Sequence, residues 1–250
     1  IFLDRDGTII NGSNQIPGAN DFLIKARKKG MKIFLLTNNS SKTRFEHWKS
    51  IKKSGIEIYS NEIILSTDIC ISELKKLGFS NLFWIANKSV NKYLIHAGFV
   101  FDDKNPQAVL LTYDNTITYK KLIQIISFIK KDLPYFATHI DKVCPTEDGL
   151  VPDIGSFIDI IKLCTMKTPI RTFGKPGLEQ IDSILCEINL KYEDSIIIGD
   201  RLYTDIKVAQ GNAITSVLVL SGETTRTLYE ASEIRADIIV DSIKDLIEYI

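Results

Sequence analysis

The stretch IFLDRDGT at residues 1–8 combines a buried strand with a pair of acids. Ile1–Leu3 is apolar at every position, which is typical of a strand covered on both faces of a parallel sheet. Asp4 and Asp6 are two residues apart, and the strand period of two points both carboxylates to the same side. Gly7 permits a sharp turn directly after them. The stretch therefore predicts a parallel strand with two acids at its carboxyl end.

Strand and helix patterns alternate in the chain that follows this stretch. Apolar β-rich runs are separated by segments with helical period, both near the start of the chain and near its end. This alternation predicts an α/β fold, a Rossmann-like doubly wound parallel sheet. The predicted strands after the first lie at 32–36, 195–198, 216–220 and 237–240, and the predicted helices lie near 18–29, 41–53, 203–209, 225–232 and 242–249.

The middle of the chain forms a strand–helix series of its own, from a strand at 82–85 to a helix near 156–163. Polar, turn-rich stretches flank this series on both sides. We therefore predict a catalytic core made of residues 1–78 and 175–250, with a smaller inserted α/β domain at residues 79–174.

Composition and charge exclude several classes of protein. The chain has 250 residues, 31 Lys+Arg and 31 Asp+Glu, so its formal net charge of +0 attracts neither nucleic acid nor an anionic membrane. Its four cysteines and three histidines are isolated, which predicts neither a disulfide framework nor a zinc site. No apolar run approaches the ~18 residues that span a bilayer, and no leader precedes the first strand. We expect a cytoplasmic protein, and we expect native residues to precede Ile1, because the chain opens inside a strand.

Polar residues follow each predicted core strand, at the edge where open parallel sheets bind ligands. Thr37 and Asn38 follow the second strand and lead into a helix, whose free N–H groups can hold phosphate oxygens. Asp200 and Asp205 follow the third, and with Asp4 they form a set of hard oxygen ligands that suits Mg²⁺. A turn, a helix cap or a helix-dipole contact explains each feature separately. The joint pattern, together with the cation of Lys175, favours a site for phosphate and a divalent ion.

These residues resemble the haloacid-dehalogenase-like hydrolases in both type and order. The matching motifs are D-x-D-G-T at 4–8, the strand-end threonine, the lysine at 175 and G-D-x-x-x-x-D at 199–205. The NagD-like, or 4-nitrophenylphosphatase-like, branch is similar in four further segments that reach across the chain. They are FLLTNNSS at 34–41, PTEDGLVPD at 145–153, GKPG at 174–177 and GDRLYTDI at 199–206.

Arg5 departs from that branch and also resembles the histidinol-phosphate and heptose-bisphosphate phosphatases. Those relatives lack a large cap, so the long insert favours the NagD-like branch. The departure leaves the preferred substrate open.

The resemblance implies a role for each motif residue. Asp4 would be the nucleophile that forms an aspartyl-phosphate, and Asp6 would be the general acid and base. Thr37, Asn38 and Lys175 would hold the phosphoryl oxygens. Mg²⁺ would be the cofactor, bound by Asp4, by the Asp6 backbone carbonyl, by Asp200, and by Asp205 directly or through water.

The resemblance also implies a function, a Mg²⁺-dependent phosphatase of small phosphomonoesters such as a sugar phosphate or nucleoside monophosphate. The insert would act as a cap, with the loop at 145–149 as a substrate contact, and a homodimer through the cap is known among relatives. Two alternatives remain at this stage. A receiver-type signalling module also places acids, a threonine and a lysine around a phosphorylated aspartate, and a catalytically silent protein would bind phosphate without hydrolysing it.

Overall fold

The computed structural model describes residues 1–146 and 149–250, and the chain divides into two compact units. The first unit consists of Ile1–Thr37, Arg44–Ile64 and Lys175–Ile250, and the second of Asn38–Thr43 and Leu65–Gly174. Each unit contains a parallel sheet with helices. The predicted α/β fold class is confirmed.

A six-stranded sheet in the order β15-β14-β13-β1-β4-β5 forms the centre of the first unit. The pairings from β15 through β4 are all parallel, and β1 lies between β13 and β4. The ends of these three neighbouring strands carry most of the predicted site residues. The strands are β1 (Phe2–Leu3), β4 (Phe34–Thr37), β5 (Ile63–Leu65), β13 (Ile196–Gly199), β14 (Thr215–Val219) and β15 (Ile238–Val240), with a small antiparallel pair, β2 (Ile10–Asn11) and β3 (Asn14–Gln15).

The longer helices of this unit pack buried residues against the core. α1 buries Phe22, Leu23 and Ala26, which recur at the spacing of one helix face. The α-helices are α1 (Ala19–Lys28), α2 (Arg44–Lys53), α7 (Glu179–Ile188), α8 (Lys207–Ala209) and α9 (Arg226–Ala231). The predicted helix near 242–249 is a 3₁₀ helix at Ile243–Tyr249, and a π-helical turn at Leu202–Ile206 begins the helix predicted near 203–209.

The second unit has its own five-stranded parallel sheet, in the order β12-β9-β8-β6-β7. Buried apolar clusters cover it, one of them around Val109, Leu111 and Ile129. The strands are β6 (Asn81–Ile85), β7 (Val100–Phe101), β8 (Ala108–Leu111), β9 (Tyr135–Ala137) and β12 (Arg171–Thr172), and an antiparallel hairpin is formed by β10 (Val143–Thr146) and β11 (Gly149–Pro152). The helices are α3 (Ser66–Lys76), α4 (Lys88–His96), α5 (Tyr119–Lys130) and α6 (Ile154–Thr165).

The second unit starts at Leu65, earlier than the boundary near 79 that the sequence predicts, and it also takes in the segment 38–43. Cys70 and Leu74 of α3 are fully buried in the same cluster as Leu82 and Leu110. Burial of these side chains makes α3 part of this unit, although the turn-rich stretch after it resembles a linker. The unit ends at Gly174.

Among the described residues, no helix combines the length and the apolar character needed to cross a bilayer. The predicted substrate-contact loop at 145–149 includes residues 147 and 148, which lie outside the described residues.

Candidate active site

Asp4 lies at the carboxyl end of β1, in the middle of the core sheet. Its backbone N–H donates to the Ile198 carbonyl at 2.9 Å, which extends the ladder with β13 by one residue. Since β1 pairs with both β13 and β4, the residues that follow these three strands meet at one edge of the sheet. Topology therefore places the acids after β13 beside Asp4.

Three carboxylates form a tight cluster at this edge. Asp4, Asp200 and Asp205 each offer an oxygen atom, and these oxygens lie within 4.8 Å of one another. Asp200 and Asp205 are buried, whereas Asp4 is partly exposed. The structure therefore brings these three acids together at one point, where the sequence predicts that they meet.

The π-helical turn after β13 brings Asp205 back over the strand end. The Arg201 N–H donates to Asp205 Oδ2 at 3.1 Å, across the wide turn. A Cβ atom on Gly199 would lie only 2.3 Å from the Asp205 Cβ, so a glycine is needed there. π-helical turns of this kind are frequent at functional sites, where they redirect one side chain.

Lys175 connects two of the three acids. Its Nζ donates to Asp4 Oδ1 at 2.5 Å, to Asp205 Oδ1 at 2.6 Å and to the Leu36 carbonyl at 3.0 Å. The side chain is only 2% exposed, so these contacts are made away from bulk water. The buried ammonium group of Lys175 therefore lies beside the Asp4 carboxylate. It also contacts the carbonyl of Leu36, the residue before Thr37 in β4.

Crowding of charge shifts the ionisation of this cluster. Burial, and then the charges of Asp4 and Asp205, raise the pKa of Asp200 well above its ordinary value. Burial also raises the pKa of Asp205 to about 6, although Lys175 partly offsets this. Burial by itself would lower the pKa of Lys175, but the charges of Asp205 and Asp4 outweigh it and the net shift is upward. The nearby cations, Lys175 and Arg201, therefore supply too little positive charge for three ionised acids.

A loop after β14 supports Asp200, and sequence reasoning missed it. The Glu223 N–H donates to Asp200 Oδ2 at 2.6 Å, and Ser221 Oγ donates to the Gly7 carbonyl at 2.7 Å. Cβ atoms on Gly7 and Gly222 would lie 2.3 and 2.0 Å from Asp200 Oδ2. The signal was present, since this SGE segment follows a predicted core strand as the other motifs do.

Asp6 is not a member of the carboxylate cluster. The Arg5 Nη1 atom donates to both of its carboxylate oxygens, at 2.7 and 2.9 Å. Arg5 itself is buried, and its Nη2 lies 3.4 Å from Ser50 Oγ. The unusual arginine of the motif therefore engages the acid predicted to transfer protons.

The two predicted phosphate ligands after β4 are adjacent in sequence but belong to different units. Thr37 ends β4 and is buried. Asn38 is the first residue of the second unit, where its side-chain amide donates to Asp141 Oδ1 at 3.0 Å and its carbonyl accepts from Ser66 Oγ at 3.1 Å.

The residues of the cluster fit a divalent cation. Asp200 Oδ1 is buried, and the described residues give it no hydrogen-bond partner. A buried, unpaired carboxylate oxygen is costly unless a cation compensates it. Three carboxylates that converge on one point are the hard oxygen donors that Mg²⁺ prefers.

Comparison with known proteins supports the family that the sequence motifs predict. A family model described as haloacid dehalogenase-like hydrolase matches residues 1–100, and a second HAD-hydrolase-like model matches residues 172–246. The structure is similar to 4-nitrophenylphosphatase from Thermotoga maritima, with 32% identity, a TM-score of 0.93 and coverage of 99% of this chain and 95% of that one.

Two further relatives are informative. Dihydroxyacetone phosphatase from Corynebacterium glutamicum is 29% identical over 97% of this chain and 88% of its own length. Glycerol phosphate phosphatase from Mycobacterium tuberculosis, solved in complex with magnesium, has the same fold, with 23% identity, a TM-score of 0.88 and coverage of 98% of this chain and 75% of that one.

Fold, site and similarity together define a hydrolase with an acid cluster at the edge of a Rossmann-like sheet. The chain belongs to the haloacid dehalogenase-like hydrolases, in the branch that contains NagD and the 4-nitrophenylphosphatases. Its enzyme class is that of the phosphatases, the phosphoric monoester hydrolases.

Proposed function

We propose that the protein is a cytoplasmic, Mg²⁺-dependent phosphatase that hydrolyses small phosphomonoesters through an aspartyl-phosphate on Asp4. The substrate class is a sugar phosphate, a nucleoside monophosphate or a similar metabolite. The observation that carries the proposal is the cluster of Asp4, Asp200 and Asp205, within 4.8 Å, with Lys175 hydrogen-bonded to Asp4 and Asp205. Membership of a hydrolase family favours this function over a receiver-type module.

Asp4 is the group best placed to attack phosphorus. It is the most exposed of the clustered acids, and one of its oxygens, Oδ1, is held by Lys175. The hydrogen bond fixes the orientation of the carboxylate and leaves Oδ2 as the attacking atom. Attack by Oδ2 forms the P–O bond of the aspartyl-phosphate while the bond to the ester oxygen breaks, and water then hydrolyses the intermediate.

Asp6, after taking up a proton from solvent, would give that proton to the leaving oxygen, and it would later accept one from the attacking water. Its carboxylate is paired with Arg5, at 2.7 and 2.9 Å. We infer that Asp6 exchanges this partner for the substrate oxygen when a phosphomonoester binds.

Lys175, Thr37 and Asn38 would bind the phosphoryl oxygens, which carry negative charge throughout the reaction. Lys175 is charged, and its three N–H donors point to Asp4, Asp205 and the Leu36 carbonyl. A phosphoryl oxygen would therefore replace one of these acceptors when substrate binds.

Asp4, Asp200 and the Asp6 carbonyl would hold Mg²⁺, with Asp205 a direct or water-mediated ligand. When bound, Mg²⁺ supplies positive charge that balances both the acid cluster and the phosphoryl group. The raised pKa of Asp200 and the unpartnered Oδ1 atom support this assignment.

The second unit would act as the cap that excludes water and selects the leaving group. We also propose that the protein forms a homodimer through this unit. Support comes from apolar side chains at the end of α6 and just after it, where Leu163, Met166 and Ile170 are exposed. Sedimentation velocity at several protein concentrations tests the dimer, and a monomer throughout would contradict it.

The function is tested by phosphate release from a panel of phosphomonoesters, including an aryl phosphate, with Mg²⁺ and with EDTA. We expect Mg²⁺-dependent release that Asp4→Asn abolishes, because an amide cannot act as the nucleophile. Asp21→Asn is the matched control, since Asp21 is an exposed acid of the same unit. Release by Asp4→Asn near the wild-type rate would refute the nucleophile. No release by wild type from any ester would leave a silent phosphate-binding protein.

A further inference from the structure

The segment that follows β4 is held by buried hydrogen bonds within the second unit. At Asn38, Ser66 Oγ donates to the backbone carbonyl at 3.1 Å, and the side-chain Nδ2 donates to Asp141 Oδ1 at 3.0 Å. All three residues are buried. Asn38 is thus fixed both by its backbone and by its side chain.

The next residues of the segment are fixed in the same way. Ser40 Oγ accepts from the Tyr113 N–H and from Thr138 Oγ1, both at 2.8 Å. The Ser41 carbonyl accepts from Asn87 Nδ2 at 3.0 Å. Side chains from several strand ends of the second unit therefore determine the path of the segment.

Asp141 is itself rigidly placed by the start of α6. The Gly155 N–H donates to the Asp141 carbonyl at 2.8 Å, and a Cβ on Gly155 would lie 2.3 Å from the Ile140 carbonyl oxygen. The α6 N-cap, Asp153, lies 3.0 Å from the buried His139 Nε2. The segment between β9 and β10 that carries Asp141 is therefore held by hydrogen bonds and close packing at the start of α6.

The chemistry at Asn38 permits one orientation of its amide. A carboxylate oxygen accepts hydrogen bonds and donates none, so the Nδ2 group must face Asp141. Oδ1 then points to Gly174, where an added Cβ would lie 2.3 Å away. A side chain at position 174 would therefore collide with the Asn38 amide.

We propose that Asp141 is a positioning residue for phosphoryl binding, acting through Asn38. The inference rests on the proposed function, in which Asn38 binds the phosphoryl group. With its carbonyl held by Ser66 and its side chain by Asp141, the direction of the Asn38 N–H is fixed before substrate arrives. Without the Asp141 carboxylate, the Asn38 side chain gains conformational freedom. Phosphate binding must then order the segment, and this entropy cost weakens the affinity.

The test uses inorganic phosphate as the probe, so that the leaving group plays no part. Isothermal titration calorimetry with Mg²⁺ measures its Kd for wild type, Asp141→Ala, Asp141→Asn and Asp114→Ala. Asp114 is the matched control, a fully buried carboxylate of the same unit whose partners are Thr116 and Lys121. We expect Asp141→Ala to raise the Kd about tenfold, as expected when a hydrogen bond to a charged group is lost, while Asp114→Ala stays within about twofold.

Asp141→Asn retains an acceptor oxygen, so we expect rescue to within about threefold of wild type. We also expect Asp141→Ala to raise KM by the same factor for two esters with different leaving groups, with a smaller change in kcat. An unchanged phosphate Kd in Asp141→Ala, or an equal rise in Asp114→Ala, would overturn the proposal.

If Asp141→Ala does not fold, Ser66→Ala tests the same proposal. This substitution removes only the hydroxyl that donates to the Asn38 carbonyl. We expect it to weaken phosphate binding by about threefold, in line with the loss of a neutral hydrogen bond, and an unchanged Kd would again overturn the proposal. Failure of the proposed function gives a different result. In that case wild type itself neither binds phosphate nor hydrolyses any ester.

Discussion

Asp200→Asn should stabilise the metal-free protein although it removes a ligand of the proposed Mg²⁺ site. Two carboxylates with oxygens within 4.8 Å of each other repel by about 3.5 kcal/mol or more at an effective dielectric constant of about 20. Asp200 has two such neighbours, Asp4 and Asp205, and the charge of Arg201 offsets roughly one of them. We therefore expect a net gain of about 3 kcal/mol, which is about 6–12 °C in Tm for a chain of this size.

The hydrogen bond that Asp200 accepts can be preserved in this substitution. An asparagine at this position can still accept the Glu223 N–H through its amide oxygen. Its NH₂ group would replace Oδ1, the atom that has no hydrogen-bond partner among the described residues. The substitution thus removes charge and adds a donor that faces two acids.

Thermal unfolding in EDTA and in Mg²⁺ is the assay, with Asp21→Asn as an exposed control. In EDTA the Asp200→Asn variant should unfold above wild type. Mg²⁺ at 100 times its Kd should then stabilise wild type by about 2.7 kcal/mol and the variant by much less. A variant less stable than wild type in EDTA, or one with the full Mg²⁺ shift, would refute the reasoning about charge.

The remaining predictions concern pH and the glycine at the turn. Because the pKa of Asp205 is raised from 3.8 to about 6, its contribution to stability is present below pH 3.8 and is lost as pH rises through 6. The metal-free protein should lose about 3 kcal/mol over this range relative to the Mg²⁺ form, as measured by urea unfolding, and parallel curves would contradict this. Gly7→Ala should lower kcat/KM at least about 100-fold, or about 2.7 kcal/mol, because its Cβ meets Asp200 Oδ2 at 2.3 Å. Gly30→Ala has a similar positive φ with open space around it, and equal losses in both variants would assign the effect to backbone strain.

The sequence by itself predicted the class of fold and the acids of the site. The spacing of apolar residues in a strand or helix depends only on neighbouring positions. The strand at Ile1–Leu3 and the later strands could therefore be predicted from the sequence alone. The rule that ligands bind at the carboxyl ends of parallel strands then selected Asp4, Thr37, Asp200 and Asp205. Lys175 was selected as the cation that completes this pattern, and motif resemblance added the family.

Only the tertiary structure decided which groups make contact. Lys175 bonds to Asp4 across 171 positions of sequence, and Asn38 bonds to Asp141 across 103. Neither pair follows from local periodicity, because each depends on the order of strands in a sheet and on how helices pack over it. The early start of the second unit at Leu65 has the same cause, since burial of α3 is a property of the packed core.

The pairing of Arg5 with Asp6 and the support of Asp200 by Gly7 and Gly222 also required coordinates. A sequence pattern indicates which residues reach an edge of a sheet. It carries no information on separations of 2 to 5 Å, and at those separations electrostatic repulsion, hydrogen bonding and steric exclusion set the chemistry of the site.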